Sequence, residues 1–285
     1  MFRRMAISLL MALVLVSSRG PASAGQRAAL APLLERLAAY TSDFQTRFAY
    51  LIGAEDYTQL LRDSRGRSRT RQLASEVFFF GANEAIGGMT VRSVQRVDGR
   101  SVQDVADRIN DALVMQGAER SVRLRTLADA GSRYNLGRLE RNFNEPTLAL
   151  LFGSRANQWR FSYSLDETEI AGDPPLLRIA YREVERPTII RDGRTGENLP
   201  ASGALWVDTA GTIWRTQLKI DRGDTLVDIR VDYRRDPGLD MLVPASMDED
   251  YRYRDQDTKQ LSFIKGHAAY SSYRRFETAA RMIAP

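Results

Sequence analysis

The stretch from Leu205 to Tyr233, LWVDTAGTIWRTQLKIDRGDTLVDIRVDY, decides the fold. Val227, Ile229, Val231 and Tyr233 alternate with Asp228, Arg230 and Asp232. Successive side chains of a β-strand point to opposite faces, so this ribbon has one apolar and one wet face. Asp208 to Gly211 and Arg222-Gly223-Asp224 fall where such a ribbon must reverse, and Gly and Asp are turn residues for backbone reasons. The reading is a strand to Val207, a turn, a strand from Ile213 to Ile220, a second turn and a strand from Leu226.

Upstream, Trp159, Phe161, Tyr163 and Leu165 alternate with polar residues, as do Leu177, Ile179 and Tyr181. Val77-Phe78-Phe79-Phe80 is a short buried run, Val91 to Val97 alternates, and Asp98-Gly99 is a strong turn signal. About six or seven strands after Trp159 and three or so before residue 100 make an antiparallel meander. Arg62 to Arg71, RDSRGRSRTR, holds five arginines and no apolar side chain, and reads as a solvated loop or hairpin tip.

Two regions keep helical spacing instead. Leu30, Leu33, Leu34, Leu37, Thr41, Phe44, Phe48, Leu51 and Ile52 advance by three and four, predicting an amphipathic helix over 27–52. Val102, Val105, Ile109 and Leu113, then Val122 and Leu127 after a break at Gly117, predict a helical insert around 102–131. Asn142 to Phe152 suits a short helix or buried connector. The expected class is therefore α+β: a curved antiparallel sheet, a half-open β-barrel, covered by a long N-terminal helix and a helical insert. Residues 25–285 are expected to form one domain.

Arg3-Arg4, the apolar run Met5 to Val16 and Ala22-Ser23-Ala24 form a secretory signal peptide over residues 1–24, with cleavage expected near Ala24. The mature chain is expected to be periplasmic or secreted, with no membrane span. Arg3, Arg4 and Arg19 supply three of the +5 net charge, leaving +2, which does not predict nucleic-acid binding. Without Cys and with His267 as the one His, the chain cannot build a disulfide scaffold, a zinc finger or a three-histidine metal site. No cofactor or metal is expected.

Catalytic patterns are weak. Ser262-Phe-Ile-Lys265 matches S-x-x-K, but its surroundings read as strand, which puts the two side chains on opposite faces. Asp208-Thr209 lacks the Gly and the second motif of an aspartic protease. A serine-type hydrolase is the least favoured reading, and no catalytic residue is assigned. Asp248-Glu249-Asp250 and Asp255-Gln256-Asp257 lack the Gly and distal Glu of a calcium loop. Strand aromatics remain, and Phe44, Phe48, Trp159, Phe161, Trp206 and Trp214 are the candidates for lining a ligand cavity.

Two segments carry a resemblance. The helix end LAAYTSDFQTRF (37–48), followed by a strand, resembles the start of the LolA family of periplasmic lipoprotein carriers. The segment Leu205 to Ile220 is similar to that family's hairpin, and the lipoprotein-binding regulator RseB shares the fold. The closing strand Ser271 to Phe276, SSYRRF, also resembles uncharacterised exported bacterial proteins. The first resemblance implies a half-open barrel with an apolar cavity, no catalytic residues, and an apolar ligand or lipoprotein acyl chain as partner. An envelope interaction or sensor module with a protein partner is the alternative it implies.

Overall fold

The computed structural model describes residues 24–80, 89–102, 106–115, 117–139, 141, 143–170, 172–193, 195–255 and 258–275. The expected leader lies outside them except for Ala24, where the first helix starts. In chain order come α1 (Ala24–Phe48), β1 (Leu51–Asp63), β2 (Ser68–Phe80), β3 (Met89–Val97), β4 (Arg100–Ser101), α2 (Ala106–Val114) and α3 (Gly117–Ser132). Two 3-10 turns, Leu148–Gly153 and Gln158–Arg160, lead to β5 (Phe161–Ile170), β6 (Leu176–Glu183), β7 (Ala201–Val207) and β8 (Ile213–Arg222). The sheet strands end with β9 (Thr225–Asp236), β10 (Met241–Arg254) and β11 (Leu261–Arg275).

The strands form one antiparallel sheet in the order β4-β3-β2-β1-β11-β10-β9-β8-β7-β6-β5. Its edges, β4 and β5, do not pair, so the half-barrel is open. The first and last long strands meet in its middle, with Leu61 opposite Ile264, while every other junction joins neighbours in sequence. The hairpins at 208–212 and 222–225 fall where the alternation breaks, and Val227, Ile229, Val231 and Tyr233 are all buried on one face.

That concave face carries the main core. Leu33, Leu37, Phe44 and Phe48 of α1 are buried against it, while Glu35, Arg36 and Asp43 face solvent. Burial of each of these large apolar side chains contributes about 1.5–3 kcal/mol. A smaller cluster lies on the outward face, where Ile52, Phe78, Phe80 and Val91 pack under Ile109 and Ala112 of α2 and Leu124 and Leu127 of α3. The Phe78-Phe79-Phe80 run is thus buried on both faces because helices cover both sides there.

Two boundaries differ from the sequence expectation. The N-terminal helix stops at Phe48, not Ile52: Tyr50 takes a positive φ of 61° and Leu51 opens β1 opposite Phe79 and Arg275. Leu51 and Ile52 satisfy helical spacing, but as strand residues they fill opposite faces and serve both cores. Trp159 does not begin a strand; it sits in the 3-10 turn before Phe161, its indole N–H donating to Ala156 O at 2.8 Å.

Candidate functional site on the covered concave face

Along β1 the concave face divides into two parts. Near Leu51 it is aromatic. Phe44 and Phe48, one turn apart on α1, stack at 4.7 Å, and Phe48 meets Phe79 at 4.7 Å and Tyr273 at 6.2 Å. Phe44 meets Tyr233 edge-on at 6.5 Å. The tyrosines point their hydroxyls outward from this cluster to backbone acceptors, Tyr233 to Pro146 O at 2.6 Å and Tyr273 to Pro244 O at 2.9 Å. Burial pushes both phenols far above their ordinary range. The end of α1 is fastened by Arg47, which donates to Leu239 O at 3.1 Å and Asp240 O at 2.6 Å, and by Arg275, which donates to Arg47 O at 3.2 Å.

A second aromatic cluster supports the other half of α1. Phe161 lies 4.9 Å from Phe152 and 5.6 Å, edge-on, from Tyr181. Gly153 makes room for Leu37: a Cβ there would stand 3.0 Å from the leucine side chain.

From Glu55 onward the same face turns ionic, which the sequence reading did not anticipate. Arg92 on β3 pairs with Glu55 on β1 through two hydrogen bonds, one of 2.8 Å, and its guanidinium lies 5.3 Å over the Tyr57 ring. Arg141, in the strap that follows α3, donates to the Tyr57 hydroxyl at 3.0 Å and to Gln59 Oε1 at 2.7 Å. It also faces Glu249 of β10 at 3.5 Å, with both side chains fully enclosed. Tyr57 donates to Glu249 Oε2 at 2.6 Å. Gly266 of β11 provides the space, since a Cβ there would come 2.5 Å from Glu249 Oε2 and 3.0 Å from the Tyr57 ring. Burial raises the Glu249 carboxyl above its ordinary value against the opposing pull of Arg141. One signal was available: Glu55, Gln59 and Glu249 occupy the apolar phase of their strands, between Leu51 and Tyr57, between Tyr57 and Leu61, and between Met247 and Tyr251.

Of the six cavity candidates, Phe44, Phe48 and Phe161 lie in the concave core, and Trp214 packs at its margin with its indole N–H on Asp208 Oδ2 at 3.1 Å. The other two sit elsewhere. Trp159 is 63% exposed with Arg160 stacked on it. Trp206 lies on the outward face between Arg178 and Arg215, its cross-strand neighbours, whose guanidiniums stand 5.6 and 5.8 Å from its ring. The alternation of β7 puts Leu205 and Val207, not Trp206, on the concave side.

The weak catalytic patterns separate in space. Ser262 is buried in β11, and Lys265 faces out to Asp250 at 3.5 Å. Asp208 accepts from the amides of Ala210 and Thr212, at 2.9 Å each, and so fixes the hairpin. His267 Nδ1 lies 2.7 Å from Asp248 Oδ1 on the outward face. Among the described residues no group of three His, Asp or Glu side chains is placed to hold a metal.

Fold and site together define a class: an α+β half-open antiparallel barrel whose concave face is stoppered by an amphipathic helix. No family model matches the sequence, and no curated protein matches it in sequence. Solved structures show a distant likeness of fold. A Vibrio parahaemolyticus domain assigned to outer membrane lipoprotein sorting aligns at 10% identity and a TM-score of 0.35, over 85% of this chain and 93% of its own. A DUF1329 family protein from Desulfovibrio piger aligns at 12% and 0.34, over 86% and 92%. A LolA superfamily protein from Nitrosomonas europaea aligns at 10% and 0.31, over 89% and 96%.

Proposed function

We propose that the protein is a non-catalytic binding protein of the cell envelope that takes an apolar ligand, a lipid or a lipoprotein acyl chain, between α1 and the concave sheet. The observation that carries this reading is the aromatic seam under the C-terminal half of α1, formed by Phe44 and Phe48 against Phe79, Tyr233 and Tyr273. The leader supports export. The separation of Ser262, Lys265 and Asp208 supports a role without catalysis.

Magnitudes decide how such a site opens. A 16-carbon chain gains ~10 kcal/mol by burial before ordering costs. Full removal of α1 exposes four large apolar side chains, about 6–12 kcal/mol, which cancels that gain. Lifting only the turn that carries Phe44 and Phe48 costs about 3–6 kcal/mol and about 0.5–1.5 kcal/mol for each of the three hydrogen bonds that fasten it, a smaller opening cost than full removal, which breaks the same bonds. The ligand therefore enters at the Phe44–Phe48 end, where α1 meets Tyr50.

Native mass spectrometry of the protein from envelope extract should show a co-purified lipid. A fluorescent 16-carbon fatty-acid analogue should bind, and Phe48→Ala should bind it more tightly by roughly tenfold, because about 1.4 kcal/mol less stopper is displaced. Absence of lipid, with no uptake of the probe by either protein, would refute the reading.

A further inference from the structure

We infer that the outward face of the sheet, at the end bearing the β1–β2 hairpin, docks onto an anionic lipid surface. Phe263 on β11 lies in register with Arg62 of β1 on one side and Arg252 of β10 on the other. Leu60, two residues before Arg62, pairs with Lys265. Phe263 is 36% and Leu60 38% exposed, so two large apolar side chains stand among three cations. They border a groove of about 950 Å³ that also takes in Leu226 and Arg230, and Asp221, Asp228, Asp248 and Asp250 beside them. Beyond it the tip adds Arg65 and Arg67, both exposed, and Ser64 ties it to the β10–β11 turn through Gln260 at 2.9 Å.

The contrast along this one face carries the argument. Toward its middle Lys219 is matched with Asp228 at 3.5 Å and Arg215 with Asp232, and Arg230 alone of the three arginine and lysine side chains named there carries no ion pair among the described residues. At the tip, Arg67 is paired with Asp63 and Lys265 with Asp250. Among the described residues of this end of the face, Arg62, Arg65 and Arg252 carry no ion pair, while Arg69, opposite Leu61, belongs to the other side of the sheet. Surplus positive charge and exposed apolar side chains thus coincide. A phosphate-rich membrane interface satisfies both, the headgroups by attraction to arginine and the acyl boundary by burial of Leu60 and Phe263. A purely acidic protein surface would leave the apolar pair unused. The rest of the chain, near neutral without its leader, does not favour nucleic acid. This docking surface is independent of the ligand seam under α1.

Sedimentation with phosphatidylcholine vesicles, with and without phosphatidylglycerol, tests it on the whole protein. Retention should require phosphatidylglycerol and weaken as salt screens the charges. The triple variant Arg62→Gln, Arg65→Gln, Arg252→Gln should bind on the order of a hundredfold more weakly. Phe263→Ser should also weaken binding, and Arg215→Gln, paired with Asp232 outside the groove, should not. All the altered side chains are exposed, and unchanged thermal unfolding confirms that each variant folds. Equal retention on both vesicle types, retention unaffected by the triple variant, or capture of an RNA oligomer instead of vesicles overturns the inference.

Discussion

Removing Arg92 tests whether the ionic part of the concave face is a coupled unit. Its side chain is 10% exposed and that of Glu55 is fully buried, and the two share a bidentate pair. Arg92→Met keeps the apolar stem and leaves a carboxylate in the interior without its counter-charge, at a cost of about 3–5 kcal/mol. Glu55→Leu strands the guanidinium in the same way. The double variant strands neither, so it should lie within about 1–2 kcal/mol of the parent, a non-additivity of several kcal/mol. Loss of the contact between Arg92 and the Tyr57 ring is common to both variants lacking Arg92 and cancels in the cycle. Urea unfolding of the four proteins at one pH, with the slope checked for constancy, provides the numbers. Additive losses, or a single variant costing less than about 1 kcal/mol, would show that water reaches the pair and that the enclosed network is wrong.

Three further outcomes follow from the same geometry. Phe48→Ala, which removes a ring packed on Phe44, Phe79 and Tyr273, should destabilise by about 3–5 kcal/mol in urea unfolding. Gly266→Ala should push Glu249 from its site and reduce stability more than a Gly→Ala change at the exposed Gly238; equal effects would contradict the packing. Burial pushes the Glu145 carboxyl up to about 7 against the pull of Thr90 and Arg92. The folded state then holds a proton that the unfolded chain has released, so this group's contribution falls as pH rises from about 4.5 to 7. With allowance for its partial exposure the loss is on the order of 2 kcal/mol, and Glu145→Gln should flatten that slope; an unchanged profile would sink the assignment.

The strand pattern was legible wherever one face meets water. β6 and β9 alternate because their outward side chains are solvated, and Asp208 and Gly223 mark turns beside them. Legibility fails where helices cover both faces. Phe78, Phe79 and Phe80 show no period, and Leu51 and Ile52 read as the end of a helix because their two apolar side chains go to different cores. The candidate site was half visible. Phe44 and Phe48 lie on a helical stripe that must cover something, whereas Trp206 was credited to the wrong face because pattern alone does not say which phase of β7 points inward. The ionic network was hidden for another reason: Arg92 and Arg141 are 49 residues apart in sequence, and only the pairing of β1 with both β2 and β11 brings them to one pocket of charge.

That pairing also limits what the proposed ligand site can hold. Glu55 follows Leu51 by four residues, about 13 Å along an extended strand. An apolar chain entering beside Phe48 therefore meets the Glu55–Arg92 pair within that depth. Passing it would place hydrocarbon against two enclosed ion pairs, of which Glu55–Arg92 loses its hydrogen bonds if forced apart. The network thus acts as a floor, and the seam under α1 suits a short or folded chain more than a long extended one. If so, affinity for saturated fatty-acid probes should rise with chain length and then level off once the chain reaches Glu55. In the Arg92→Met, Glu55→Leu double variant, whose floor is apolar, the rise should continue to longer chains. A plateau at the same length in both proteins would place the limit elsewhere than at the ion pair.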